Sequence, residues 1–181
     1  MAVDNRKALL FIAMSLDGYI ADQQGDISFL KLVETDGEDY GYRDFFSTID
    51  VVVLGRKTWD TILSFSIPQP YEGKKVYIIS GSRQGTTGNS EYYGKYLPTL
   101  IRNLKAGKGL DIFVDGGSQV ALSLLKEHLI DRMIISIIPV LPGDGIPLFR
   151  PGFPKQNLKL TKSRDFSTGL VQLEYKVLTE N

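Results

Sequence analysis

Hydrophobic residues in this chain come in short blocks, and the spacing inside the blocks switches between that of a strand and that of a helix. Ala8-Leu-Leu-Phe-Ile-Ala-Met14 is an unbroken apolar run of strand length, and the next segment, Ser15-Leu-Asp-Gly-Tyr-Ile-Ala21, turns at Asp17-Gly18. Val51-Val-Val-Leu54, Val76-Tyr-Ile-Ile79 and Asp111-Ile-Phe-Val114 repeat the first pattern, which marks central strands covered on both faces. Between them the period becomes helical. Tyr42, Phe45, Phe46 and Ile49 define one face of a helix that starts near Thr35 or Asp36 and reaches about Thr48. Pro98 suits the first turn of a helix closed by Gly107, and Ser118 can cap another through about His128. Arg132 to Val140 is a strand again.

After Pro142-Gly-Asp-Gly145 the texture changes, and Pro147, Pro151 and Pro154 mark an irregular stretch. Two alternating segments follow, Leu158–Lys162 and Leu170–Leu178, joined around Gly169, and they predict an antiparallel pair. The stretch from Gly81 to Gly94, rich in Gly, Thr and Ser, reads as a surface loop. Strand–helix alternation followed by a terminal β pair predicts one α/β domain over residues 1–181. It has three layers, α/β/α, and its mixed, mostly parallel central sheet is closed by the C-terminal antiparallel pair.

Composition narrows the chemistry. The 181 residues carry 21 Lys+Arg against 21 Asp+Glu, a balance that argues against broad binding of nucleic acid or an anionic membrane surface. With no cysteine, thiolate nucleophiles, disulfides and Cys-ligated metals are excluded. His128 is the single histidine, so multi-histidine metal sites go too, and no metal is expected. The first apolar run is too short to span a membrane and lacks a secretory cleavage pattern, so the expectation is a soluble cytoplasmic protein. A homodimer is left open. The chemistry falls to carboxylates, hydroxyls, backbone amides or a borrowed cofactor.

Ligands of open α/β sheets sit beyond the carboxyl ends of the strands. Three such ends here share a character: Gly55-Arg56-Lys57-Thr58, Ser80-Gly-Ser82-Arg83 and Gly116-Gly117-Ser118-Gln119. Glycines let a ligand approach the backbone, helix N-terminal amides stabilise anionic oxygens, and Arg and Ser add hydrogen bonds to phosphate. Three at neighbouring ends suit an extended ligand with several phosphates. Neither a P-loop nor a Gly-x-Gly-x-x-Gly follows the first strand.

Ala13-Met-Ser-Leu-Asp17-Gly-Tyr-Ile20-Ala, Gly55-Arg-Lys-Thr58-Trp, Ile79-Ser80 and Val114-Asp-Gly116-Gly117 occur in an order and spacing that resemble the dihydrofolate reductase superfamily. The Ser-Leu-Asp-Gly-Tyr-Ile-Ala form, with Ile138-Pro-Val-Leu-Pro-Gly-Asp-Gly-Ile-Pro-Leu-Phe149, is more similar to the branch holding the bacterial riboflavin-biosynthesis reductase domain and its small stand-alone relatives. The resemblance spans about residues 8–178 and implies NADPH as hydride donor. It places Gly55, Arg56, Lys57 and Thr58 along the pyrophosphate and adenosine-phosphate side. Ser80, Ser82 and Arg83 would take the 2′-phosphate and adenine, and Gly116, Gly117, Ser118 and Gln119 the pyrophosphate. Ala13 and Ile20 would flank the nicotinamide.

A reduction of C=N or C=O also needs a proton, and a carboxyl is the natural source. Stepping back from Tyr42 along the first helix gives Asp39 and Glu38 at the apolar face, whereas Asp44 should face solvent. Burial there would raise the pKa of Asp39. The resemblance points to the same residue, since Asp39 stands sixteen positions before Gly55, about where folate reductases carry their acid. Thr35-x-x-Glu38 is also a capping-box pattern, which places acids at a helix start for structural reasons.

By the same resemblance a heterocyclic substrate would lie near Phe29, Phe46 and Lys74, with Phe29 where folate reductases usually have Trp and Lys74 where they have the Arg that grips the folate tail. A point charge on a flexible stem does not reproduce that guanidinium clamp. The implied activity is NADPH-dependent reduction of a pteridine or related heterocycle. The alternatives are 5-amino-6-(5-phosphoribosylamino)uracil reduction and a non-catalytic nucleotide-binding protein on the same fold.

Overall fold

Strands with no polar face take the middle of the sheet. In the computed structural model, which describes residues 6–65 and 70–178, Val51 to Leu54 are all buried, as are Ile112 to Val114. The first five residues of the polar opening segment lie outside the described part. The chain runs β1 (Ala8–Ser15), β2 (Tyr19–Ala21), a 3-10 turn (Ser28–Val33), α1 (Tyr42–Ser47), β3 (Ile49–Gly55), α2 (Arg56–Ser64), β4 (Lys75–Ile79), β5 (Thr86–Thr87) and β6 (Ser90–Tyr93). It continues through α3 (Leu97–Ala106), β7 (Asp111–Gly116), α4 (Ser118–Lys126), β8 (Arg132–Ile138), β9 (Ile146–Pro147), β10 (Asn157–Asp165) and β11 (Val171–Leu178).

Nine strands form one sheet in the order β10-β11-β8-β1-β7-β3-β4-β6-β5, while β2 and β9 pair separately. Pairing is parallel from β8 across to β6, and β11 joins β8 antiparallel. The C-terminal pair β10–β11 therefore closes one edge. This is the three-layer α/β/α arrangement expected from the sequence.

The two-residue period of a strand distributes each apolar run between the layers. Val51, Val53, Ile112 and Val114 pack with Leu100, Ile101, Ala121 and Leu124 of α3 and α4. Val52, Leu54 and Phe113 face the other way, onto Phe45 of α1 and Trp59 of α2. Each such side chain contributes about 1.5–3 kcal/mol on burial. Unbroken hydrophobicity is what lets both helical layers dock.

Three expectations need correction. The first helix does not begin near Thr35: Gly37, Tyr40 and Gly41 take positive φ angles of 80°, 55° and 79°, which no helix tolerates, so α1 covers only Tyr42–Ser47. The Gly81–Gly94 segment is more than a loop. It contains β5 and β6, and β6 extends the sheet by pairing with β4. The terminal pair is longer than its apolar alternation suggested, because β10 continues to Asp165 past an irregularity between Leu160 and Lys162.

Candidate active site

Two helix N-termini meet where β3 and β7 end. Gly55 is the N-cap of α2 and Gly117 the N-cap of α4, and neither has a side chain to cap its helix. The first intrahelical bond of α4 runs from the Ala121 N–H to the Gly117 carbonyl at 3.1 Å, which leaves the N–H groups of Ser118, Gln119 and Val120 without helical acceptors. A Cβ on Gly55 would lie 3.8 Å from the Gly117 nitrogen, so the two uncapped turns are immediate neighbours. The aligned dipoles of both make this an anion cradle.

Among these glycines, Gly116 is the one that backbone and space both require. A Cβ on Gly116, whose φ is +96°, would come within 3.2 Å of Ile12 Cδ1. One on Gly117 would sit 3.4 Å from Thr58 Oγ1 and 3.8 Å from Ile20 Cδ1. Gly55, Thr58, Gly116, Gly117 and Ile20 therefore converge. The Gly116–Gly117 peptide is cis. Ser118 is buried and Gln119 exposed.

The outer end of the cradle is less cationic than the sequence suggests. Arg56 reaches Asp60 at 2.6 Å, and Arg83 reaches the other oxygen of the same carboxylate at 2.8 Å. Lys57 stays exposed. Ser80 is buried, and its hydroxyl accepts from the N–H groups of Ser82 and Arg83 at 3.3 and 2.9 Å, so it shapes the turn. A phosphate entering here would compete with Asp60 for both guanidinium groups.

Next to the cradle, an acid emerges that the sequence reading passed over. Asp115 precedes the glycine pair and shares a side of β7 with Phe113. Desolvation pushes its pKa up to about 7, against a hydrogen bond donated by the Tyr71 phenol that lowers it. Asp115 as a residue is part-buried.

An aromatic wall surrounds this pair. Tyr71 stacks on Trp59 and Phe46, each at 6.5 Å between ring centroids, and Tyr42 stacks on Phe46 at 5.6 Å. Burial raises the pKa of both phenols, and the nearby Asp115 charge adds to it. Tyr71 itself has φ +59°, a conformation costing on the order of 1 kcal/mol that its stacking and hydrogen bonds must hold. The signal for Asp115 was an ionisable residue closing an otherwise apolar central strand. For Tyr71 no sequence signal exists, since it comes from an irregular connection.

Asp39 does not have the environment expected of it. With α1 shortened, it lies before the helix, and its carboxylate accepts the N–H groups of Gly41 and Arg43 at 2.9 and 3.1 Å. Those bonds, that of Arg43 first, hold its pKa below the usual value; burial does not raise it. Glu38 accepts the Tyr40 N–H, and Asp44 is exposed.

Lys74 is likewise engaged, donating to the Ile49 carbonyl at 2.7 Å with its ammonium 4.8 Å from the Phe46 ring centroid. Phe29 packs with Ala13 in the small cluster around Val33, Ile138 and Leu170. His128 takes φ +52° just past α4, where it ends the helix: Leu129 N–H bonds Leu124 O and His128 N–H bonds Leu125 O. No described helix is long and apolar enough to cross a membrane.

Known proteins match this chain in sequence and fold. Protein YwjB of Bacillus subtilis, itself uncharacterized, is 37% identical over 171 residues, covering 94% of this chain and 97% of its own. A crystal structure from Shewanella sp. PV-4, of a protein named for riboflavin biosynthesis, superimposes with a TM-score of 0.86 at 32% identity, covering 96% of this chain and 99% of that one. The diaminohydroxyphosphoribosylaminopyrimidine deaminase/5-amino-6-(5-phosphoribosylamino)uracil reductase of Thermotoga maritima shares the fold, with a TM-score of 0.69 at 18% identity over 96% of this chain and 57% of that one. Residues 78–172 match the model of the RibD C-terminal domain, so this chain belongs to the RibD C-terminal domain family, within the dihydrofolate reductase-like superfamily.

Proposed function

We propose that this chain is an NADPH-dependent reductase of a small heterocyclic substrate, with Asp115 as the proton source. The observation that carries the reading is a protonatable carboxyl, raised to about 7, at the mouth of paired, uncapped helix N-termini. When bound, NADPH supplies a hydride to the carbon of a C=N or C=O bond, and the nitrogen or oxygen takes one proton.

The residues divide that work. The N–H groups of Ser118, Gln119 and Val120, with the first turn of α2 through Thr58, hold the pyrophosphate. Gly55, Gly116 and Gly117 keep the space clear for it. Arg56, Arg83 and the Ser80–Ser82 turn take the 2′-phosphate, with Asp60 yielding its guanidinium partners. Ile20 and Ala13 wall the nicotinamide side. Asp115, steadied by Tyr71, releases its proton toward the substrate heteroatom and is reprotonated from solvent. Tyr71, Phe46 and Tyr42 offer flat surfaces on which a planar ring can stack.

Two observations bear on the substrate. Lys74 is tied to the Ile49 carbonyl and the Phe46 ring, which leaves it poorly placed to grip a glutamate tail. The preferred substrate is therefore a pteridine without that tail. The family match supports a second reading, reduction of 5-amino-6-(5-phosphoribosylamino)uracil.

The test is a titration with NADPH and with NADH, followed by turnover with a tail-free dihydropterin, dihydrofolate and the ribosylaminouracil. NADPH should bind more tightly and one of the tail-free substrates should turn over. Failure of both nucleotides to bind overturns the reading. Dihydrofolate turned over as well as tail-free dihydropterin overturns the assignment of Lys74.

A further inference from the structure

A second opening lies on the α1 side of the sheet, over the half formed by β1, β8, β11 and β10. It is a groove of about 230 Å3 that does not include Asp115 or Tyr71. Its floor is apolar, made by Leu9, Phe11, Phe45 and Ile134. Its far wall is charged, made by Arg132, Lys162, Arg164 and Glu174. Asp44 lines it as well, so three cations face two carboxylates.

The cations are not equally engaged. Glu174 is shared, reaching Arg132 at 3.2 Å and Arg164 at 3.7 Å. Arg164 is fixed from several sides. It donates to the Gln172 side-chain oxygen, lies 5.7 Å from the Phe166 ring centroid, and faces Gly41, where a Cβ would come within 3.0 Å of its Nη2. Its buried Nε has no acceptor among the described residues. Lys162, opposite Glu174 in the strand register, is exposed and has no ion-pair partner among the described residues. One carboxylate thus serves two guanidinium groups, and an ammonium stands beside them uncompensated.

We infer that this groove binds a small carboxylate carrying one apolar ring, at a site separate from the reductase site. A cavity of roughly 150 Å3 already accommodates a benzene ring, so the volume suffices for a ring and its carboxylate. The ring lies on Phe11, Phe45, Leu9 and Ile134, and the carboxylate meets Arg164 and Lys162. A monoanion matches the excess of one positive charge. A phosphate dianion would meet Asp44 and Glu174 with surplus negative charge and leave the apolar floor uncovered. The inference stands on this groove alone and does not depend on the proposed reduction.

Benzoate is the probe, with benzamide and acetate as controls, added to the full chain while the methyl resonances of Leu9 and Ile134 are followed. Benzoate should shift both methyls saturably, and it should bind more weakly as salt is raised. Benzamide, which lacks the charge, and acetate, which lacks the ring, should each bind about tenfold more weakly or not at all.

Lys162→Gln, at an exposed position, should weaken benzoate about threefold, and Arg164→Gln about tenfold, with melting temperatures recorded to confirm folded protein. Benzamide binding as tightly as benzoate overturns the inference. So does an affinity unchanged in Lys162→Gln, or the absence of saturation by about 20 mM, a concentration well above the weak range expected for so small a ligand.

Discussion

A carboxyl that delivers a proton near neutrality must hold one there, and among the carboxyls considered for the role, surroundings decide which can. Asp115 meets the condition because desolvation, the larger effect, outweighs the hydrogen bond from Tyr71. Asp39 fails it because backbone N–H groups stabilise its charged form. Asp115→Asn should therefore lower kcat by about a hundredfold or more while leaving NADPH affinity intact, and Asp39→Asn should change kcat by no more than about threefold. Steady-state kinetics on both variants, with nucleotide titrations, separate the two carboxyls.

The pH profile follows from the same residue. kcat/KM should fall as pH rises through about 7, where Asp115 loses its proton. Removing the Tyr71 phenol removes a donor to the ionised carboxylate, so Tyr71→Phe should move this break to higher pH; a downward move would contradict the electrostatics described. Asp115 was present in the sequence as part of a glycine motif, but which neighbours desolvate it depends on Tyr42 and Tyr71 arriving from other elements. Single residues report chemistry only once the packing around them is known.

Elements differ in how far their sequences reveal them. β1, β3, β4 and β7 were legible because burial on both faces demands continuous apolar residues, which little else in a chain this size does. α1 misled because Thr35-x-x-Glu38 reads as a capping box, while Gly37, Tyr40 and Gly41 adopt left-handed conformations that keep the helix from starting before Tyr42. β6 was hidden for another reason: Ser90-Glu-Tyr-Tyr93 looks polar, and its strand state comes from pairing with β4. The cradle was readable because each glycine stood at the end of a legible strand.

One glycine outside the cradle packs against β2, the strand that carries Ile20. Gly145 has φ +153°, and a Cβ there would lie 2.3 Å from the Ala21 carbonyl oxygen, at the junction of β2 and β9. Gly145→Ala must push β2 aside, at about 1–3 kcal/mol of stability. Because β2 carries Ile20 against Gly117, the KM for NADPH should rise as well, by about tenfold if on the order of 1.4 kcal/mol of binding is lost. Gly143→Ala is the control. It has φ +77° but open space around it, so it should cost backbone strain without moving β2. Thermal melts and NADPH kinetics on the two variants check this, and equal KM values would show that β2 does not position the cofactor.

Across the whole molecule the formal net charge is zero, so near neutrality no large self-repulsion sets the pH dependence of stability. Individually shifted groups set it instead, and they pull in opposite directions. Asp17 is held low by the Ser15 hydroxyl, Asp26 by that of Ser28, Asp39 by backbone N–H groups, and Glu127 by Tyr96 and Arg102. Each stabilises the fold while ionised, and that contribution is lost as pH falls below its ordinary range near 4.

Asp115 has the reverse sign. Its folded pKa, about 7, lies above the unfolded value of 3.8, so the folded state binds more protons between the two. Its contribution is complete below the lower value and is lost as pH rises through the higher one. Stability should therefore peak near pH 4 to 5, decline as pH rises toward about 7 because of Asp115, and level off above it. Urea midpoints measured at pH 5 and pH 8 should separate clearly for the wild type and nearly coincide for Asp115→Asn. An equal decline in the variant would place the titrating group elsewhere.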